Sequence, residues 1–258
     1  MTGVYVATPF TRPFDAEHVA SLLFMEKPEM MIWGPLGYQS VAVSRNTLIE
    51  RFKRQPGEPE FLLYADSDAT WAPGAVLRMM NRNLPAVCGV MYRRKLPPVP
   101  TQGVYSGLNA EGHHTYDATP VINALLDYVK ARGVDEDTEN AVLFESGPDD
   151  LLNIDGSGMH FFMIRRDVVM AMKPPYFEEI SQGAGEDFYF CRKLRDMGVP
   201  IVVDLSVQTG HIVGPGVDFG LREFLAFYHH TDRITNVSWD IGAPKNGNPV
   251  FDWNGGNA

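Results

Sequence analysis

The chain has 258 residues, of which 45% are hydrophobic and 21% charged, and its formal net charge at pH 7 is −10. This composition is typical of a globular protein with a sizeable core, and the acidic balance argues against broad, nonspecific nucleic-acid binding. The 2 cysteines argue against a disulfide framework. Because neither a leader peptide nor a long apolar run is recognisable, we expect a cytoplasmic protein of a bacterial or phage-infected cell without a membrane span.

Strands and helices alternate in the first part of the chain. Apolar runs predict strands over residues 3–9, 30–34, 61–66 and 86–94. Helices are predicted after Asp15, over the latter half of 40–55, and after Pro73 and Gly74. Such alternation is typical of a mostly parallel sheet that helices cover on both faces.

The second part is less regular. It contains, in order, a loop rich in proline and glycine (96–114), an amphipathic helix (120–133), a strand–break–strand–helix unit (151–172), a helix (186–198), a strand (200–206) and a helix (222–237). We expect one domain over residues 1–240, with 96–149 as an insertion or excursion. Residues 241–258, rich in glycine and asparagine, are predicted to form a flexible tail.

Polar residues follow several of the predicted strands, where ligands of parallel sheets bind. The apolar strand over residues 61–65 leads directly into Asp66 and Asp68. Because burying a bare carboxylate is costly, these groups must be exposed, paired or bound to a cation. Carboxylate oxygens suit Mg²⁺ or Mn²⁺, whereas hydrogen bonding to the turn backbone is the alternative.

Four segments resemble GT-A nucleotide-sugar glycosyltransferases, particularly the bacterial and phage enzymes of family 2. They are VYVATP, like the first strand; DSDATWAPGAVLRMM, like the D-x-D region; GSGMHFFMIRRDVV, like the strand pair beside the acceptor pocket; and GEDFYFCRKLRDMGVPIVVDLSVQTGH, like the acidic pair and following histidine. The likeness covers residues 3–95 and roughly 150–230. It implies a three-layer α/β/α, Rossmann-like GT-A fold and a hexosyltransferase that uses a nucleoside diphosphate sugar, with UDP favoured.

The resemblance also implies a metal centre. Asp68 would bind Mn²⁺ or Mg²⁺ directly, Asp66 would contact the ribose or a metal-bound water, and His211 would supply an imidazole nitrogen. The cation would neutralise the charge that develops on the departing diphosphate.

Further residues are predicted to bind the donor. The full set of predicted donor-binding residues is Thr8, Pro9, Arg45, Asp66, Ser67 and Arg93. Arg45 could reach a phosphate from its helix start, and the cluster at 93–95 could grip a diphosphate or an anionic acceptor. Trp33, Tyr38 and Trp71 are candidate sugar platforms, although aromatic residues at strand ends are commonly core.

Glu186 and Asp187 open a predicted helix, where carboxylates also favour the helix dipole. The resemblance makes one of them the catalytic base that takes the proton from the acceptor hydroxyl. We predict Asp187 as the base and Glu186 as its companion, which would hold an acceptor hydroxyl or brace the helix; the reverse order stays open.

Two other functions fit part of the same pattern. LLYADSDAT also fits the D-x-D-x-T motif of haloacid-dehalogenase-type phosphatases, with Asp66 as nucleophile and Asp68 as acid/base, although that motif normally lies near the start of its domain. The other is a nucleotide-sugar-binding or glycan-binding module without catalysis, which the set of Asp66, Asp68, Asp187 and His211 disfavours.

The acceptor stays open between a glycan, a protein side chain and a hydroxymethylated DNA base. DNA would require a flipped base and a basic surface. The basic runs that could build such a surface are 51–54, 93–95, 165–166 and 192–195.

Overall fold

The computed structural model describes residues 3–37, 39–110, 112–147, 149–178 and 185–228, together with the backbone of 238–240. The strands are β1 (Gly3–Phe10), β2 (Met30–Gly37), β3 (Phe61–Ala65), β4 (Ala69–Trp71), β5 (Ala86–Val90), β6 (Val104–Leu108), β7 (His114–Asp117), β8 (Leu151–Ile154), β9 (Phe161–Arg165), β10 (Ile201–Gly214), β11 (Val217–Phe219) and β12 (Ser238–Asp240). The helices are α1 (Ala16–Phe24), α2 (Val41–Lys53), α3 (Ala75–Arg82), α4 (Thr119–Ala131), α5 (Arg166–Ala171), α6 (Glu186–Asp196) and α7 (Leu221–Tyr228).

The central sheet has the strand order β11-β10-β5-β9-β3-β1-β2, and β4 and β8 also pair with β10. β2, β1, β3, β5 and the first part of β10 point the same way, while β9 runs antiparallel between β3 and β5. Every residue of β3 and β5 is buried, so both faces of the sheet centre are covered. The predicted mostly parallel, doubly covered sheet is therefore confirmed.

Helix α2 covers Val41–Lys53 and so begins earlier than predicted, since only the latter half of 40–55 was expected to be helical. Ser40 adopts an extended backbone, and its side chain accepts a hydrogen bond from the backbone N–H of Val43. A serine in this position satisfies an otherwise unpaired N–H of the first turn. The helix therefore begins at Val41 and includes Arg45 in its second turn.

Strand β10 extends well beyond the predicted end at residue 206. After an irregularity between Asp204 and Gln208, it continues between β4 and β11. A Cβ atom on Gly210 would collide with the side chains of Thr70 and Asp218, so only glycine allows this close approach. This extension places His211 between Ala69 of β4 and Phe219 of β11.

Residues 96–149, predicted as an excursion, contribute regular structure. β6 and β7 pair as an antiparallel hairpin, and the Tyr116 ring packs against Phe188 of α6 with centroids 4.8 Å apart. Val121 and Leu125 of α4 are fully buried.

Several predictions fall on residues that the structure does not describe. These are Tyr38, residues 229–237 of the last predicted helix and the tail 241–258.

A buried ionic network joins α3 to β10 and to the segment before β8. Arg82 donates to Asp150 at 2.6 Å and to Asp204 at 2.7 Å, and both carboxylates are fully buried. Burial acts to raise the pKa of Asp150, but the Gly147 N–H, Arg82 and Tyr128 together hold it below its ordinary value. Asp150 is therefore charged and depends on its partners.

Replacing Arg82 with alanine should lower the free energy of unfolding by about 3 kcal/mol, because it leaves buried charges without their partner. Urea denaturation measures the change. Arg54→Ala is the matched control, since Arg54 is exposed and pairs with Glu50 at 3.2 Å. The control should lose less than about 1 kcal/mol, and equal losses in both variants would contradict the assignment.

Candidate active site

A cleft opens at the carboxyl ends of the parallel strands. It lies where β1 and β3 end, beside the start of α2 and the segment that follows β5. The residues that line it include Pro9, Val41, Ser44, Asp66, Ser67, Asp68 and Arg94. The predicted D-x-D pair thus lies at the edge of the sheet where ligands of such folds bind.

Arg45 gathers the acidic residues on one side of the cleft. Its side chain is only 2% exposed, and it donates to both oxygens of Asp66, at 2.9 and 3.2 Å. It also donates to Glu186 at 2.7 Å and to Asp187. The Tyr64 hydroxyl donates to the Arg45 carbonyl at 2.9 Å and helps to fix this turn of α2. Arg45 is therefore an internal counter-ion for three carboxylates, which differs from the phosphate contact predicted for it.

The proton affinity of Asp187 reflects this crowding. Burial, with the nearby charges of Glu186 and Asp66, raises its pKa to about 7 against the opposing effect of Arg45. The side chain is still 23% exposed, so a substrate can reach it. A carboxyl group that titrates near neutral pH is suited to accept a proton.

Asp68 faces His211. Oδ1 of Asp68 is 3.6 Å from Nε2 of His211. Nδ1 of His211 is 2.6 Å from the carbonyl oxygen of Tyr92, which can only accept, so Nδ1 carries the hydrogen and Nε2 presents a lone pair. Burial lowers the pKa of His211 to about 4, so the ring is neutral at ordinary pH.

Arg94 lies against this pair. Its Nε–H donates to Nε2 of His211 at 2.7 Å, and its guanidinium forms an ion pair with Asp68. The sequence placed Arg94 in a basic cluster but selected Arg93 as the cleft residue. Arg93 instead donates to the Pro97 carbonyl at 3.1 Å. The difference arises because β5 ends at Val90, four residues before the predicted strand end.

Asp68 and His211 fit a divalent cation, whereas Asp66 does not join them. Oδ1 of Asp68 is buried without a hydrogen-bond partner, and Nε2 of His211 has a lone pair, which accepts the Arg94 N–H in this structure. A carboxylate with a neutral imidazole suits Mn²⁺. Within the described parts of the chain, no three acidic, imidazole or thiol groups are arranged to hold a metal. The structure therefore brings together two of the three predicted ligands.

The other predicted residues take different positions. Thr8 is buried, and its hydroxyl oxygen accepts from the indole N–H of Trp33 at 3.0 Å. Trp33 keeps 42% of its surface exposed, whereas Trp71 is buried and stacks on Phe161 with centroids 5.2 Å apart. Trp33 is thus available as a platform, and Trp71 belongs to the core.

His160 is a site residue that the sequence analysis missed. Its backbone carbonyl accepts from the Asp66 N–H at 3.0 Å, and its ring lies 4.4 Å from the His211 ring. Because the Thr209 hydroxyl donates to a backbone carbonyl, it accepts from Nε2–H of His160 at 3.2 Å. His160 therefore positions Asp66 and His211 at once. The Gly-Ser-Gly-Met segment that precedes His160 indicates a break between two strands, and this local pattern does not reveal the contacts of the histidine.

Comparison with known proteins places the fold. The crystal structure of GalNAc-T7 with UDP, GalNAc and Mn²⁺, a GT-A glycosyltransferase, aligns with a TM-score of 0.50 and 12% identity. The alignment covers 86% of this chain, which spans 44% of that chain. The chain has a GT-A-like fold.

The crystal structure of A197 from STIV aligns with a TM-score of 0.49 and 17% identity, over 85% of this chain and 90% of that one. No family model and no curated protein matches the chain. Among the described helices, none has the length and apolar character needed to cross a bilayer. At 12% identity, the likeness to GalNAc-T7 shows the fold alone.

Asp187→Asn should stabilise the protein at alkaline pH. It removes a carboxyl group that is harder to ionise in the folded state than in the unfolded state. The folded pKa of about 7 lies above the ordinary value of 3.8, so the folded state loses stability as pH rises between these values. The advantage of the variant should therefore grow between about pH 4 and pH 7, and it should be larger near pH 8 than near pH 5 by about 1 kcal/mol or more. Urea denaturation across this range measures it.

Asp167→Asn is the matched control. Arg165 holds the pKa of Asp167 below its ordinary value, so this group stays ionised across the same range. Its effect should not change between the two pH values. A pH-independent difference between wild type and Asp187→Asn would contradict the raised pKa.

Proposed function

We propose that this protein is a metal-dependent glycosyltransferase that transfers a sugar from a nucleoside diphosphate, with UDP favoured, to a hydroxyl group. The observation that carries the proposal is the approach of Asp68 and His211, from distant parts of the chain. Asp68 is two residues from Asp66, which shares the Arg45 guanidinium with Asp187. The GT-A-like fold agrees with it, and the fold neighbour GalNAc-T7 was crystallised with UDP, GalNAc and Mn²⁺. The four similar segments support an affiliation with the bacterial and phage enzymes of family 2 and a catalytic domain over residues 1–240.

Asp68 and His211 would hold the cation in this proposal. When bound, a divalent cation would neutralise the charge that develops on the departing diphosphate. The protein's own contribution is a largely buried pair of ligand groups, with Nδ1 of His211 fixed by the Tyr92 carbonyl. Pro9 and Ser67 line the part of the cleft next to this pair, where a donor diphosphate would lie.

Asp187 is the proposed base. As the acceptor oxygen forms a bond with the anomeric carbon, the bond from that carbon to the diphosphate oxygen breaks, and the acceptor proton passes to the Asp187 carboxylate. Arg45 orients this carboxylate and favours its ionised form. Glu186 pairs with the same guanidinium and contributes to the negative charge around Arg45.

The phosphatase alternative is less compatible with these contacts. It would need Asp66 as a nucleophile, yet both oxygens of Asp66 accept hydrogen bonds from the buried Arg45. A carboxylate that is paired in this way is a weaker nucleophile. Turnover distinguishes the proposed enzyme from a binding module, which would bind UDP and Mn²⁺ without releasing sugar.

Asp68→Asn should reduce Mn²⁺-dependent release of UDP from a panel of UDP-sugars by at least about 100-fold, since changes even in outer-shell partners of a metal reach that size. A coupled assay with water as acceptor measures the release. The surface variant Asp167→Asn controls for the loss of one charge and should match wild type. Full Mn²⁺ stimulation in Asp68→Asn would rule out this metal site.

Asp187→Asn should reduce transfer by about 10²- to 10⁴-fold while UDP and Mn²⁺ still bind, because general base catalysis contributes that much. Titration calorimetry measures binding beside the turnover assay. In wild type, kcat/KM should rise with pH and level off above about 7, since the base acts only when deprotonated. Transfer that survives in the variant would show that another group is the base.

A further inference from the structure

Arg94 takes the position in which a cation would meet Asp68 and His211. Its Nε–H donates to Nε2 of His211 at 2.7 Å, and its guanidinium pairs with the Asp68 carboxylate. Both partners present lone pairs, because Nδ1 of His211 is the protonated nitrogen. The lone pair on His211 and the negative charge of Asp68 are the same features that would attract a divalent cation.

The two cations cannot share this pair of ligands. The Nε2 atom of His211 has one lone pair, so it binds either the Arg94 N–H or a metal. A dication at Asp68 would also repel the adjacent guanidinium strongly in this largely buried corner. Arg94 and a metal therefore exclude one another.

Arg94 is able to leave without disrupting the fold. Its side chain is 49% exposed, and it belongs to the irregular segment after β5, not to the packed sheet. It also lines the cleft beside Ser67 and Pro9. A diphosphate in that cleft would offer the guanidinium a bidentate anionic partner in place of Asp68.

We propose that Arg94 is an internal competitor for the divalent cation and must withdraw from Asp68 and His211 before Mn²⁺ binds. The inference rests on the metal-dependent function proposed above. It adds that cation affinity is low in the free protein and rises when a diphosphate draws Arg94 away. The two ligands would then be thermodynamically coupled, each strengthening the other.

The test measures Mn²⁺ binding to the free protein by electron paramagnetic resonance, without nucleotide and without turnover. Arg94→Gln should bind Mn²⁺ about tenfold more tightly than wild type, since it removes a competing ion pair and its repulsion. Arg12→Gln is the matched control: Arg12 has a similar exposure of 45%, lies close enough to affect Arg94 electrostatically, and pairs with Asp15 instead. It should remain close to wild type.

Further variants locate the measured Mn²⁺ and guard against misfolding. Asp68→Asn should remove the tight binding from the Arg94→Gln background. Arg94→Lys, which keeps the charge but lacks the planar fork that bridges both ligands, should give an intermediate affinity. Melting temperatures of all variants establish that they fold, and the lysine variant provides the comparison if glutamine is poorly tolerated.

The outcomes separate this inference from the function on which it rests. Equal, Asp68-dependent Mn²⁺ affinity in wild type, Arg94→Gln and Arg94→Lys would overturn the competition and leave the metal site intact. Failure of every variant to bind Mn²⁺, with or without UDP, would overturn both. Equal gains in Arg94→Gln and Arg12→Gln would reduce the effect to general charge and would also overturn the competition.

Discussion

The organisation of the site depends on one buried cation. Arg45 is 2% exposed and compensates Asp66, Glu186 and Asp187, which come from the end of β3 and the start of α6. Without it, three carboxylates could not approach each other, because their mutual repulsion and loss of hydration would be uncompensated. The same guanidinium links α2 to the sheet and to α6. It therefore sets both the shape of the cleft and the acidity of its residues.

The D-x-D segment divides between two electrostatic environments. Asp66 belongs to the Arg45 cluster, whereas Asp68, two positions later, faces His211 and Arg94. The first environment raises the pKa of Asp187, and in the second Asp68 and His211 both pair with Arg94. His160 contacts both environments: its backbone carbonyl accepts a hydrogen bond from the Asp66 N–H, and its ring packs against the ring of His211. In the proposed reaction, proton transfer and stabilisation of the leaving group would thus occur on opposite sides of one short turn.

The sequence predicted the alternating sheet and most of its strands, because apolar periodicity is a local signal. It failed where tertiary contacts override that signal. Strand β10 continues through Gln208 and Thr209, which are polar but fully buried. The hairpin of β6 and β7 lies in a stretch whose prolines and glycines indicated a loop. The β10 extension pairs with a distant strand and the hairpin strands pair with each other, and in both cases this pairing supplied hydrogen bonds that the local pattern did not reveal.

The sequence by itself determined which residue types could carry chemistry: paired acids after β3, an acidic pair at the start of α6, and a histidine late in the chain. Only the tertiary structure decided how they are partnered. It buried Arg45 among carboxylates, brought Arg94 in place of Arg93 to the cleft, and paired Asp66 with Arg45 while Asp68 faces His211. The physical reason is that charge pairing depends on distances between strand ends, and those distances follow from sheet order and strand length, which no local pattern contains.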